Sequence, residues 1–307
     1  MGHAAPVGAV AFRADGRRLA SGSADGSIFI WETVDPGRPV LLTAFNAHAP
    51  ITGLAWNPGA ADLLATGTTS GDAAIWRVVD DRPATALATL AGHPGPIRSV
   101  EWMPDGQHLI CLFGTDRAAV WNALAETYLG ELTDCVRLAV SPDGLVATIG
   151  PDGSVAVRDL WRGTGPAARA LASPVLDCAW SPDGSGLALA RADGALELVT
   201  AYLDPALTIP IGEGPLRCVS WSASGPVAGG ESGTYAFGPD GRPRWRSPIV
   251  LSRPGALAVG GPIAAAATEG ERPYVLALAD GATLVAPALA QPGSWELPRA
   301  APPRELP

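Results

Sequence analysis

Two residue types recur in phase along the first part of this chain. His3, His48 and His93 stand 45 residues apart, and Trp31, Trp76 and Trp121 keep the same step. A period of this length means one supersecondary unit per repeat. Each unit is too small to bury an apolar face alone, so it must stack on its neighbours. The period therefore predicts a solenoid, a propeller or an array before any single residue is interpreted.

Each repeat is a series of short apolar runs bounded by turn residues. The first contains Val7–Phe12, Arg18–Ser23 and Ser27–Trp31; the second Ile51–Trp56, Leu64–Thr68 and Ala73–Trp76; the third Ile97–Trp102, Leu109–Phe113 and Ala118–Trp121. Runs of this length, rich in β-branched and aromatic residues, read as strands. Asp15-Gly16, Asp105-Gly106, Asp143-Gly144 and Asp183-Gly184 follow first strands, and Asp25-Gly26, Asp152-Gly153 and Asp193-Gly194 precede third strands. Such pairs suit two-residue hairpin turns, because Gly accepts positive φ and Asp tolerates it. Each unit is then a small antiparallel meander.

Taken together, the Gly-His start, the Val-x-x-Val-x-Phe/Trp strand, the Ser-Pro-Asp-Gly turn and the closing Trp resemble the WD40 repeat. The endings depart from the usual Trp-Asp: they read Trp31-Glu32, Trp76-Arg77 and Trp121-Asn122. The resemblance implies an all-β fold, a β-propeller of four-stranded antiparallel blades. Phe12, Trp56, Trp102, Val140, Trp180 and Trp221 close six first strands. Ala256–Val259, Ile263–Thr268, Tyr274–Leu278 and Ala282–Val285 supply a degenerate last unit. The expectation is seven blades, approximately 1–45, 46–90, 91–132, 133–172, 173–212, 213–247 and 248–287, forming one domain over 1–287. Radial repetition suits such a chain because it leaves only short sheet edges. The chain starts at a Gly-His loop, so the last blade is expected to be completed from its C-terminal side, by residues 282–287. A Pro-rich tail, 288–307, carries Trp295 and is read as an extended terminus.

The family also implies a hydrogen-bonded brace in each blade, in which Asp accepts from His, His holds a hydroxyl, and the hydroxyl accepts from the Trp indole. Carried over, this names His3, Ser21, Asp25 and Trp31 in the first blade. It names His48, Thr66 and Trp76 in the second, with Ser70 where Asp belongs. In the third it names His93 and Trp121, with Cys111 in the hydroxyl position and Asp116 one place out of register. This makes the marching histidines scaffolding rather than metal ligands.

Composition narrows the function. The net charge is −9 and all 21 basic residues are Arg, a balance that fits a GC-rich bacterial source and disfavours nucleic acid and anionic membrane as partners. No signal-peptide layout or long apolar run is present, so the expectation is a cytoplasmic, monomeric protein. Cys111, Cys135, Cys178 and Cys218 lack Cys-x-x-Cys spacing and read as reduced core residues, and His108 as a turn residue. No cofactor or metal is expected. Glu126, Glu131, Glu213 and Glu231 show no pairing, and no nucleophile elbow or phosphate loop stands in its proper context. The reading is a non-catalytic platform for another protein or peptide. Its candidate partner face comprises Thr52, Arg98, Arg117, Arg137, Asp177, Arg191 and Arg217, near the channel mouth. Two alternatives are an enzyme whose site lies in the channel and the sensor or targeting module of a larger bacterial signalling protein.

Overall fold

A computed structural model of the chain describes residues 3–35, 39–79, 82–162, 167–212, 214–248, 250–251, 257–260, 263–267, 273–277 and 283–284. The tail 288–307, Trp295 and Glu213 lie outside them. The described residues form a β-propeller of four-stranded antiparallel blades. The first blade is β1 (Val7–Phe12), β2 (Arg18–Ser23), β3 (Ser27–Glu32) and β4 (Val40–Asn46). The second is β5 (Ile51–Trp56), β6 (Leu63–Thr68), β7 (Ala73–Arg77) and β8 (Thr85–Leu90). The third is β9 (Ile97–Trp102), β10 (His108–Phe113), β11 (Arg117–Asn122) and β12 (Thr127–Leu132). The fourth is β13 (Arg137–Val140), β14 (Leu145–Ile149), β15 (Val155–Asp159) and β16 (Ala167–Arg169). The fifth is β17 (Val175–Trp180), β18 (Gly186–Arg191), β19 (Ala195–Thr200) and β20 (Pro205–Pro210). The sixth is β21 (Leu216–Ser222), β22 (Gly225–Gly230), β23 (Gly233–Phe237) and β24 (Pro243–Ser247).

A smaller sheet follows: β25 (Leu257–Gly260), β26 (Ile263–Ala267), β27 (Pro273–Ala277) and β28 (Thr283–Leu284), paired in that order. Its inner strand packs on β21 and on β1. Ala265 of β26 joins Val7, Val10 and Leu19 in one apolar cluster, while Leu257 and Ala264 pack with Cys218, Val227 and Leu251. This sheet thus meets the first blade through side chains, and β28 supplies its outer strand.

The core lies between blades rather than within them. Ile28, Ile30, Ile51, Leu54 and Leu64 bridge the first and second blades. Ile75, Ile97, Val100 and Leu109 bridge the second and third. This stacking dictates glycines at the tightest approaches. A Cβ on Gly22 would lie 2.4 Å from Ile51 Cγ2, and one on Gly67 would lie 2.5 Å from Ile97 Cγ2. The pair is again 45 residues apart, so the repeat records a knob and its hole.

The Asp-Gly turns are built differently from the expected two-residue hairpin. In the first, Gly16 N donates to Arg13 O and Arg13 N to Arg18 O, which leaves four residues in the loop. Gly16 alone takes the left-handed conformation, with φ 67°. Asp15 instead uses its carboxylate, which accepts from Arg17 N at 2.9 Å. Asp25, Asp105, Asp152, Asp183 and Asp193 likewise cap the amide two residues on. The Asp in these motifs is an Asx cap, not a second positive-φ residue.

All four cysteines are buried and free. His108 begins β10 and pairs with Asp105 through Nδ1 at 2.6 Å.

Replacing Gly67 by Ala forces a methyl into Ile97 and should cost ~1–3 kcal/mol, the usual range for overpacking. Gly59→Ala, which meets only Asn57 Oδ1 at 3.6 Å, should change stability by less than ~0.5 kcal/mol. Urea midpoints of the two variants check the contrast.

Candidate functional site

The site begins with what holds the inner strands in place. Trp56 Nε1 donates to Ala11 O at 3.2 Å, Trp102 Nε1 to Ala55 O at 3.1 Å and Trp180 Nε1 to Ala139 O at 3.1 Å. Each indole closes its own first strand and bonds the inner strand of the preceding blade. These bonds brace part of the wall of a central channel of about 620 Å³, lined by the inner strands β1, β5, β9, β13, β17, β21 and β25.

The family brace is complete only in the first blade. Trp31 Nε1 donates to Ser21 Oγ at 2.9 Å, and Ser21 Oγ meets His3 Nε2 at 2.7 Å. His3 Nδ1 then meets Ser27 Oγ at 2.6 Å, and Ser27 Oγ donates to Asp25 Oδ1. Asp25 therefore reaches His3 through Ser27, not directly as expected. The network assigns the ring its proton: Ser27 donates to the carboxylate, so it accepts from Nδ1–H, leaving Nε2 to accept from Ser21. Phe29 stacks on the ring at 4.1 Å. Burial holds His3 down to about 4, against the pull of Asp25. Burial opposes ionisation of Asp25, yet the Ser27 hydroxyl and amide and the Ala4 amide hold its carboxyl at about 2.

His48 corrects the expectation for the second blade. Its side chain is exposed, and its amide donates to Asn46 Oδ1 at 2.6 Å. The cause is the loop backbone. Gly92, ahead of His93, takes φ 97°; Ala47 stands ahead of His48, and His48 itself takes φ 61°. Trp76 keeps its bond to Thr66 Oγ1 at 3.0 Å, and Phe45 packs on it at 4.9 Å. Ser70 bonds Thr68 and Asp72 instead. In the third blade Cys111 replaces the hydroxyl, and Trp121 Nε1 donates straight to His93 Nε2 at 3.1 Å, with Nδ1 on Gly71 O at 2.9 Å. Burial lowers the His93 pKa. Asp116 takes its bond from Thr115 instead.

The expected arginine face divides. Arg117 pairs with Glu131 at 2.9 Å and Arg217 with Glu231 at 2.7 Å. Arg191 is buried, gripped by Asp193 and by Glu197 at 2.9 Å, and Arg169 bonds the same Glu197 at 2.9 Å. That network joins the fourth and fifth blades and takes Arg191 out of the face. Thr52 spends its hydroxyl on Ile97 O at 2.5 Å, also between blades. Arg98, Arg137 and Asp177 do come together at the channel. Arg98 is exposed and donates to Thr115 O at 2.8 Å. Burial first, then the nearby Arg137 charge, lowers its pKa. Arg137 Nε lies 3.8 Å from Asp177 Oδ1, and Asp177 Oδ2 accepts from Val219 N at 3.2 Å.

Two features escaped the sequence reading. First, Thr52, Arg98, Leu176, Arg217 and Gly8 each sit at a register shift of an inner strand. A bulge leaves its extra residue out of the ladder and re-aims it. Second, Glu101 lines the channel. Ala11, Ala55, Ala139, Ala179 and Ser220 precede the residues that close the other first strands, and Glu101 occupies that position in the third blade. Aligning the strands position by position exposes this outlier. Burial raises Glu101 to about 7, with Arg137 opposing and Asp177 reinforcing the shift. Among the described residues no group of His, Cys, Asp or Glu could hold a metal ion.

The opposite face, where third and fourth strands connect, exposes Val34, Val79, Leu124, Trp161 and Tyr202. Among the described residues no helix is long and apolar enough to cross a membrane.

A ring of four-stranded blades with an indole–hydroxyl–imidazole brace is what the resemblance to WD40 repeats implies. The family model for the WD domain, G-beta repeat, matches residues 1–32 and 84–121. Similar proteins include the human GATOR2 complex protein WDR59, 35% identical over 101 residues, which are 33% of this chain and 10% of that protein. The protein transport protein SEC31 of Chaetomium globosum is 29% identical over 150 residues, 46% of this chain and 12% of its own length. The anaphase-promoting complex subunit cdc20 of Dictyostelium discoideum is 28% identical over 152 residues, 47% of this chain and 30% of its own. The chain thus spans less than a third of the length of these relatives. These matches support a WD40-type propeller.

The His3 brace sets a pH response. The unfolded chain takes up this proton near 6.5 and the folded chain near 4. The stability that neutral His3 confers is therefore fully present above pH 6.5 and lost as pH falls toward 4. The loss is up to about 3 kcal/mol before solvent screening. His3→Ala should lower the urea midpoint at pH 7.5 and flatten the fall between pH 6.5 and 4. Equal pH slopes for variant and parent would contradict the role.

Proposed function

We propose that this propeller is a non-catalytic platform that presents the channel mouth and its surrounding loops to another protein or peptide. One observation carries the reading: Arg98 and Arg137 converge at the channel, whereas Arg117, Arg191 and Arg217 are held by carboxylates of the fold. Arg is enriched where binding energy concentrates and suits bidentate recognition. The relatives are named for complexes and protein transport, and that context supports a protein partner. We count the β25–β28 sheet as a seventh blade, since it packs on both β21 and β1, and take residues 1–287 as one monomeric domain. A cytoplasmic location follows from the free buried cysteines, and a bacterial source from Arg used without Lys, although these relatives are eukaryotic. The small share of each relative that aligns also suits a module of a larger protein.

One observation favours the catalytic alternative. A carboxyl titrating near neutrality beside Arg137 and Asp177 has the protonation behaviour of a general acid or base.

The test is capture of partners from the source organism with the parent chain, Arg98→Glu, and Trp161→Ala on the opposite face. Arg98→Glu should lose the partners that Trp161→Ala keeps, a loss of at least about 10-fold in recovery for a contact worth ~1.4 kcal/mol. Retention of every partner by Arg98→Glu, or their loss from Trp161→Ala alone, would overturn the choice of face.

A further inference from the structure

One charged group of the channel, Arg137, is not fully satisfied by the fold. Arg137 Nε is buried and has no hydrogen-bond partner. Its approach to Asp177 Oδ1, 3.8 Å, is too long for a hydrogen bond. A buried polar group left unpaired normally costs ~1–3 kcal/mol, and charged ones more, so an orphaned guanidinium N–H in a channel wall points to a missing acceptor. The short side chains of the neighbouring positions, Ala11, Ala55, Ala139 and Ala179, leave the space for one.

The charges around that space select the acceptor. Burial and the nearby Arg137 charge lower the Arg98 pKa, and Asp177 is already engaged by Val219 N. Two guanidinium groups and one carboxylate leave a single positive charge. A monoanionic, planar, two-oxygen group matches this charge and the fork of a guanidinium. A phosphate dianion would face Asp177 with excess negative charge.

We propose that the central channel is a binding site for a carboxylate, seated between Arg98 and Arg137, with Arg137 Nε–H donating to it and the Glu101 carboxyl alongside. This rests on the reading that the channel mouth is the working face, and it names the chemistry of what enters. The carboxylate comes either from an acidic side chain of a partner peptide or from a free small acid. The volume of about 620 Å³ accommodates both.

Glu101 makes the site pH-dependent. The charged groups that act on it are Arg137 from β13 and Asp177 from β17; β17 also brings the buried thiol of Cys178 within its influence, and β5, on the other side, offers Gly53, Leu54 and Ala55. Below its titration near 7, Glu101 is a neutral donor to the incoming carboxylate. Above it, the Glu101 anion competes for Arg137 and repels the ligand.

Calorimetric titration of the intact chain at pH 6 and pH 8 tests this. The probes are the monoanion butyrate, the capped peptide acetyl-Ala-Glu-Ala-amide, their uncharged amide counterparts and inorganic phosphate. The expected result is saturable binding of at least one carboxylate probe and neither amide, about 10-fold tighter at pH 6 than at pH 8. Arg137→Gln and Arg98→Gln should each weaken it by at least about 10-fold, the loss of one ~1.4 kcal/mol contact. Glu101→Gln should bind equally at both pH values. Should Arg137→Gln not give the parental circular dichroism spectrum, Arg98→Gln at the exposed mouth and the charge-retaining Arg137→Lys carry the test. Binding of the peptide alone assigns the partner side chain, and binding of butyrate, with or without the peptide, assigns the free acid. No saturable carboxylate binding, equal binding of amide or phosphate, or unchanged binding in the folded arginine variants would overturn the proposal. Those outcomes would leave the choice of face to the capture experiment, which uses no carboxylate probe.

Discussion

The propeller depends on one bond that crosses between blades: an indole N–H reaching the carbonyl of the preceding inner strand. Trp56, Trp102 and Trp180 each make it, at 3.1–3.2 Å. Backbone ladders hold each blade together but cannot hold blades to one another. Apolar packing presses the blades together without fixing their offset. A directional bond from a large, rigid side chain does fix it, and it also satisfies a carbonyl at the innermost strand. These bonds set the offsets of β1 to β5, β5 to β9 and β13 to β17 in the channel wall.

Much of this was legible in the sequence because the repeat carries physical obligations. Strand, turn and closing aromatic recur because each blade needs the same edges and the same knob-in-hole fit, such as Ile51 into Gly22 and Ile97 into Gly67. The brace was legible in outline. Its details were not, since they depend on which hydroxyl lies between Asp25 and His3, and Ser27 was hidden in the third strand. His48 shows the limit of a spacing argument. It keeps the period but not the conformation, because Ala47 cannot replace a glycine at positive φ.

The site was less legible than the fold. Arg117, Arg191 and Arg217 looked available because their partners, Glu131, Glu197 and Glu231, sit 6 to 14 residues away across hairpins. Side chains that neighbour each other across a ladder are not neighbours in sequence, and only the register shows that they neutralise one another. Glu101 was missed for the opposite reason. It lies inside a strand read for its apolar pattern, and its significance appears only against the alanines of the other blades.

The register shifts at the mouths of the inner strands have a wider consequence. Gly8, Thr52, Arg98, Leu176 and Arg217 differ in size, polarity and charge, yet the ladders on both sides of them are intact. A residue outside the ladder is released from strand pairing, so its identity can change wherever it is not tied to the next blade, as Gly8 is by its approach to Ile51 O and Thr52 by its bond to Ile97 O. The blades thereby separate inheritance from innovation: the closing indoles and the glycine holes are constrained by assembly, and the bulged positions are where a new specificity can be written one blade at a time.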